Sequence, residues 1–300
     1  MHVTNSQSED MLQLSYYHGG TSISCDSKTE HHEIFLFGNH ISHSLAPLLH
    51  TALFQSMRVP WTYTLSETDS PSLFLPKLKA SNVAGCAITM PYKITLMEQV
   101  DEVTEEGEVK GSFLQNFLRI LEESSGRPGL VIGGGGACRS AVYALRRFMK
   151  SSKIYMVNRL KSEADSIIMA FEEAGFDGEL IFVESVGQAR LLAAPAVIVD
   201  TVPDFPPGEL GEILAREIVE GFLGKEKKGY VLEMAYHPNP RTAFYQLAVH
   251  AGWKTLPGTE AMVYQGVAQQ VLWTETPIAL FELDEAKKAI AGGLQSLAVL

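Results

Sequence analysis

Four consecutive glycines, Gly133–Gly136, stand between the apolar run Gly129-Leu-Val-Ile132 and a stretch with Ala141, Ala144, Leu145 and Phe148 at helical spacing. Such a junction narrows the choice of fold more than anything else in the chain. A buried strand that ends in glycines and passes into a helix lets the backbone approach an anion closely. The helix N-terminus then supplies unpaired N–H groups and a partial positive charge. Taken alone, Gly133-x-Gly135-Gly136-Ala137-Cys138 is a weak signal, because glycines at a turn also serve only to permit positive φ. The flanking pattern strengthens it. A second strand is expected at Lys153–Val157, about 20 residues after the loop. A helix over Lys161–Ala174 follows, then strands at Glu179–Val183, Ala196–Val199 and Tyr230–Met234. That alternation predicts a doubly wound parallel sheet of the dinucleotide-binding kind, over residues 129–255.

A smaller α/β unit precedes it, over residues 33–112. Glu33–Gly38 is an apolar run closed by glycine and reads as a buried strand. Leu45–Ser56 has helical spacing with Pro47 in its first turn, Trp61–Leu65 alternates like a strand, Ser72–Ala80 reads as a helix and Gly85–Thr89 as a strand. Residues 1–32 are polar and aperiodic and are read as a disordered tail. From Thr259 onward the pattern is helical and amphipathic, with Val263, Val267 and Val271 on one stripe. Residues 256–300 are expected to fold back onto the first domain.

Composition excludes several functions. With 24 basic and 35 acidic residues in 300, and a net charge of −11, the chain lacks the clustered cations that nucleic acids require. Its apolar runs are too short to span a bilayer, and its polar, acidic N-terminus has no secretory h-region. Cys25, Cys86 and Cys138 are widely spaced, which argues against a disulfide framework or a zinc site and suits the reducing cytoplasm. None of this excludes a small anionic substrate, which a few local cations suffice to hold.

Further candidates follow the strands. His43-Ser44-Leu45-Ala46-Pro47 enters a helix, with Ser44 as its expected N-cap. Thr89-Met-Pro91-Tyr-Lys93 follows a strand and is expected to open a helix at the proline. Asn158 and Arg159 end the second strand of the larger unit. An NAD site usually places a carboxylate there for the ribose 2′-OH, whereas an arginine suits the 2′-phosphate of NADP. Tyr236-His-Pro238 follows another strand, and Met262-Val-Tyr-Gln265 lies in the last helical stretch. Singly, each has an ordinary structural reading as a cap, a solvated side chain or core.

In this order, the motifs resemble the shikimate/quinate dehydrogenase family, especially its fungal members, over roughly residues 33–280. The resemblance implies a substrate-binding domain over 33–112, an interdomain helix over 113–128 and a Rossmann domain over 129–255, with C-terminal helices over 256–300 packed on the first domain. It implies reversible hydride transfer between NADP(H), or alternatively NAD(H), and the ring carbonyl of 3-dehydroshikimate or 3-dehydroquinate. The family's H-S-x-S-P segment implies that Ser44 holds the substrate carboxylate. Its N-x-T-x-P-x-K segment makes Lys93 catalytic and Thr89 substrate-binding. The G-x-G-G-[AG]-x-R loop places Gly133, Gly135, Gly136, Ala137 and Arg139 on the cofactor, and the N-R pair adds Asn158 and Arg159 at the 2′-phosphate. Tyr236 and Met262 would lie near the nicotinamide and substrate, and Gln265 would reach the substrate. Ser44, Thr89, Gln265 and Lys93 are therefore expected to line one pocket around a polyhydroxylated ring carboxylate.

Three departures bear on activity. Ala46 replaces the second serine, and Ala87 stands where the family has a substrate-binding asparagine. The N-T-D segment that carries the lysine's carboxylate partner occurs nowhere in the chain. Gly111-Ser112 resembles the start of G-A-V-N-T, and Phe113–Leu121 resembles the later half of the interdomain helix, as if a segment were lacking after Ser112. The expectation is an impaired enzyme, with a catalytically silent metabolite-binding or regulatory protein as the alternative.

Overall fold

A computed structural model describes residues 28–93, 95–96, 123–237, 239–274, 276 and 280–297. The chain forms two compact units, one of Met1–Glu108 with Met262–Leu300 and one of Val109–Ala261. The expected tail as far as residue 27, Cys25, the junction at Ser112, residues 113–122 of the expected interdomain helix, and Pro238 lie outside the described residues.

The first unit begins β1 (Glu33–Gly38), α1 (Ala46–Met57), β2 (Thr62–Glu67), α2 (Pro71–Leu78), β3 (Val83–Ile88). Its three strands are parallel in the order β2-β1-β3. Side chains of the central strand alternate between two cores, as the two-residue period of a strand requires. Ile34 and Leu36 pack with Phe54, Trp61 and Tyr63. On the other face Phe37 lies between Phe74 and Tyr92, stacked at 4.1 and 4.7 Å. The order starts a little ahead of the expected boundary: Lys28 and Thr29 form a 3₁₀ turn, and the His32 ring meets Trp61 edge-on at 5.2 Å.

The second unit runs β4 (Gly129–Ile132), α3 (Gly136–Arg147), β5 (Lys153–Val157), α4 (Lys161–Glu173), β6 (Glu179–Phe182), α5 (Val186–Leu191), β7 (Val197–Asp200), α6 (Leu210–Leu223), β8 (Tyr230–Glu233), α7 (Ala243–His250), β9 (Lys254–Leu256). All six strands are parallel in the order β6-β5-β4-β7-β8-β9. The order reverses between β4 and β7, and the loops leaving those strands open the crevice where α/β sheets bind ligands. Val131, Met156 and Val199 face α3 and α4, whereas Leu130, Tyr155 and Ile198 face α6 and α7. Both faces are covered, so the strands read as continuous apolar runs. Helices α5, α6 and α7 and the short strand β9 carry no assignment in the sequence reading.

Two C-terminal helices, α8 (Gly258–Thr274) and α9 (Leu283–Leu297), complete the described chain. The stripe Val263, Val267, Val271 is buried. Gly266 lets Leu49 of α1 sit directly against the α8 backbone, Gln270 is hydrogen-bonded to His50 at 2.9 Å, and the Trp273 indole faces Gly85 of β3. Gly293 of α9 receives Leu48 and Leu45 in the same manner.

One local expectation is corrected. Leu45, not Ser44, is the N-cap of α1; the Ser44 hydroxyl accepts from the Ala46 N–H at 3.2 Å. Residues 90–93 form a turn in which the Tyr92 ring goes into the core and its N–H bonds back to the Thr89 carbonyl at 3.0 Å, and Leu96 N–H donates to the Tyr92 carbonyl at 3.0 Å. The rest of the helix expected after Pro91 lies outside the described residues.

Candidate substrate and dinucleotide sites

At the C-terminal edge of the three-stranded sheet, the segments leaving all three strands are tied together. Thr89 N–H donates to the Phe37 carbonyl at 2.9 Å, Asn39 N–H to Met90 at 3.1 Å, and Thr68 N–H to Gly38 at 3.2 Å. Gly38 is required because a Cβ there would meet the Thr89 and Ile41 side chains and the Met90 carbonyl. The Tyr92 hydroxyl donates to the Thr68 carbonyl at 3.0 Å, so an aromatic stack at one end and a hydrogen bond at the other hold the turn that presents Lys93. Burial holds the Lys93 ammonium below the ordinary lysine range. Among the described residues no carboxylate pairs with it. Ala87, where a polar side chain was anticipated by resemblance, is in the core of this sheet.

These backbone bonds tie the segment that carries Thr89 and leads to Lys93 to the loop leaving β1, which runs on to Ser44. Gln265 is exposed on α8, one residue before the glycine that seats α8 against Leu49, and Met262 is half-buried on the same helix. No hydrogen bond or ion pair joins Gln265 to Lys93 among the described residues. Tyr236 follows β8 in the second unit and is half-buried.

In the second unit, Gly133 adopts φ 120°, and a Cβ there would strike the Thr201 hydroxyl, which itself donates to the Ile132 carbonyl at 2.7 Å. Glycine is required on both grounds. Gly135 is the N-cap of α3 and meets no neighbour, and no side chain caps this helix. Gly136, Ala137 and the half-buried Arg139 lie in its first turn. An open backbone and uncapped N–H groups at the topological switch point fit the pyrophosphate of a dinucleotide. The Cys138 thiol behind the loop is fully buried and pushed up to about 12, and burial pushes Cys86 up to about 11, so neither serves as a nucleophile.

Arg159 and Asn158, expected at the 2′-phosphate, are both engaged. The Arg159 guanidinium pairs with Glu212 at 2.9 Å, and the same carboxylate accepts from Gly208 N–H at 3.0 Å and Glu209 N–H at 3.2 Å. These contacts hold the Glu212 carboxyl below the usual range. Asn158 Nδ2 donates to Glu163 Oε2 at 2.7 Å and to the Leu160 carbonyl at 3.0 Å. The sequence reading missed Glu163 and Glu212, since neither lies at the end of a strand. Glu163 is the acidic residue in the first turn of α4, and this was its only signal.

Also missed was a buried acid pair. Asp200 ends β7 and Glu233 ends β8, directly opposite in register. Thr242 Oγ1 donates to Glu233 at 2.6 Å and Ala235 N–H at 2.7 Å, while Val202 N–H donates to Asp200 at 3.1 Å. Burial pushes Glu233 up to about 7, and burial with the neighbouring Glu233 charge pushes Asp200 well above the carboxylate range. Among the described residues no cluster of His, Cys, Asp and Glu is arranged to hold a metal. Nor is any described helix long and apolar enough to cross a membrane.

Residues 36–113 match the shikimate dehydrogenase substrate binding domain. A quinate dehydrogenase of Emericella nidulans is 32% identical over 285 residues, covering 80% of this chain and 87% of the relative. Among solved structures, the dehydroquinate dehydratase and shikimate dehydrogenase protein of S. pombe aligns with a TM-score of 0.70 and 25% identity over 93% of this chain, which spans 56% of that longer chain. The quinate dehydrogenase from Corynebacterium glutamicum in complex with NAD aligns with a TM-score of 0.70 and 20% identity, over 88% of this chain and 100% of its own, and shares the fold. The identity to the Emericella protein, carried on this pair of parallel sheets, makes the chain a member of the shikimate/quinate dehydrogenase family of oxidoreductases.

Proposed function

We propose that this chain binds a nicotinamide dinucleotide on the glycine loop and a ring carboxylate of the shikimate or quinate class at the C-terminal edge of the three-stranded sheet, and that it oxidises such a substrate slowly. The observation that carries the reading is Lys93, a half-buried lysine with no acidic partner among the described residues, in a sequence that contains no N-T-D segment.

When bound, the dinucleotide supplies the hydride acceptor or donor at its nicotinamide ring. Neutral Lys93 takes the proton of the substrate hydroxyl as the hydride leaves the carbinol carbon; in reverse, its ammonium protonates the developing alkoxide. Burial favours the neutral amine and so assists the oxidation. A carboxylate partner would orient the amine and stabilise its charged form. A positioned acid–base group contributes about 10²–10⁴ in rate, which is the scale of the expected impairment. A polyhydroxylated ring needs several converging polar groups to replace its water shell. Ser44, Thr89 and Gln265 are the candidates on the first unit, and Ala46 and Ala87 offer none.

The test is NAD(P)H formation by purified protein at saturating shikimate and, separately, quinate, with Lys93→Ala as the blank. The expected rate lies well under ~1 s⁻¹; a rate of about 1 s⁻¹ or more, abolished in Lys93→Ala, overturns the impairment. The alanines at 46 and 87 favour a second reading, a metabolite-binding protein without turnover. Calorimetric binding of shikimate or quinate, with no NAD(P)H formed, assigns it to that class.

A further inference from the structure

We infer that the adenosine end of the dinucleotide site is built to accept a free ribose 2′-hydroxyl and to reject a 2′-phosphate, through Glu163 and Glu212. The inference rests on the dinucleotide reading of the glycine loop and deepens it. A Cβ at Gly134 would lie 2.7 Å from Glu163 Oε2 and 2.7 Å from Asn158 Nδ2, so the Glu163 carboxylate hangs directly over the loop backbone. It is not adventitiously placed: Asn158, at the end of β5, donates to it at 2.7 Å and to the Leu160 carbonyl at 3.0 Å, which uses both amide hydrogens and fixes the rotamer. The result is a carboxylate beside the loop that would receive the pyrophosphate, where a dinucleotide fold selecting NAD needs an acceptor for the ribose hydroxyls. The chain supplies that acceptor from the first turn of α4 instead of from the strand end.

Arg159, the cation that would favour a 2′-phosphate, is committed elsewhere. Its guanidinium meets Glu212 at 2.9 Å, and Glu212 is anchored by two backbone N–H groups at the start of α6. The α6 backbone is held close at this point, because a Cβ at Gly211 would meet the Arg159 carbonyl at 2.5 Å. A 2′-phosphate carries a charge of roughly −1.5 to −2 at neutral pH and would face Glu163 directly while competing with Glu212 for Arg159. Like charges brought together at an interface are a strong source of discrimination.

The experiment titrates wild-type protein, Glu163→Gln and Glu212→Gln with NAD and NADP, and with 5′-AMP and 2′,5′-ADP as fragments that lack the nicotinamide. Binding is read by calorimetry, with the folded state of each variant checked by its thermal melt. Wild type is expected to bind NAD at least about tenfold tighter than NADP, and AMP tighter than 2′,5′-ADP. Glu163→Gln is expected to shift the NADP-to-NAD affinity ratio about tenfold towards NADP, since the amide still accepts from a ribose hydroxyl but no longer repels a phosphate. Glu212→Gln, by freeing Arg159, moves the ratio the same way. In wild type, raising the salt from about 0.05 to about 0.5 M narrows the preference, which requires no variant to fold. A wild-type preference for NADP, or an affinity ratio unmoved by both variants and by salt, overturns the inference while leaving the dinucleotide reading intact. Failure of every nucleotide to bind overturns the dinucleotide reading and takes this inference with it.

Discussion

Replacing Asp200 by asparagine should stabilise this protein at alkaline pH and leave it unchanged at acid pH. Asp200 is 6% exposed and Glu233 1%, and their strands place them opposite each other, so the folded state holds two carboxyls where water cannot solvate two charges. In an unfolded chain both titrate near their ordinary values, whereas burial raises Glu233 from 4.5 to about 7 and raises Asp200 as well. Between those limits the folded protein binds more protons than the unfolded one, so stability falls as pH rises from about 4.5 to about 7. Moving one carboxyl from 4.5 to about 7 corresponds to about 3 kcal/mol, which is the stability that ionising Glu233 removes by the time the pH has passed 7. Asparagine keeps the acceptor for Val202 N–H and removes both a buried charge and its repulsion of Glu233. Asp200→Asn should therefore gain stability over wild type progressively as pH rises above about 4, with a larger gain in melting temperature at pH 8 than at pH 5. The assay is a series of thermal melts of both proteins from pH 5 to pH 8. Parallel profiles, or a variant less stable than wild type at pH 8, would refute the reasoning.

The first unit should show the opposite slope. Burial holds the His50 imidazole, stacked on Tyr63 at 4.1 Å, down at about 3, so unfolding takes up a proton at acid pH, and stability drains as pH falls from about 6.5 towards 3, by at most about 5 kcal/mol. In His50→Leu the acid limb of the melting profile should be shallower; an unchanged limb contradicts this. Gly133→Ala puts a side chain at φ 120° against the Thr201 hydroxyl, and should lower stability by about 1–3 kcal/mol in urea denaturation and remove dinucleotide binding. Tyr92→Phe keeps the stack on Phe37 but loses the bond to the Thr68 carbonyl, and should reduce stability by about 1 kcal/mol; a neutral result would show that stacking alone holds the Lys93 turn.

Much of this architecture is legible in the amino-acid order, for a definite reason. Glu33–Gly38, Gly129–Ile132 and Lys153–Val157 are strands with the limits the sequence implies, because a strand covered on both faces runs unbroken through apolar residues between its first position and the loop that follows. The glycine loop was recognisable for the same kind of reason: positive φ and close backbone approach exclude every residue with a Cβ. The departures at Ala46 and Ala87 and the absence of N-T-D are likewise facts of sequence. Helix α6 is less visible, since Gly211 and Gly221 interrupt its pattern and only Ile218, Val219, Phe222 and Leu223 mark the buried face. The three residues of β9 are a strand only because β8 lies beside them. Tertiary structure alone decided the electrostatics. Glu163 and Glu212 lie 30 and 79 positions from the first glycine of the loop by their numbering, yet one hangs over Gly134 and the other takes the charge of Arg159. Asp200 and Glu233 become a buried pair only through the register of two parallel strands, and the Tyr92 ring completes a stack on Phe37 that no spacing along the chain announces. Charges and aromatic faces act through space over a few ångströms, and chain separation carries no record of which of them the fold will bring that close.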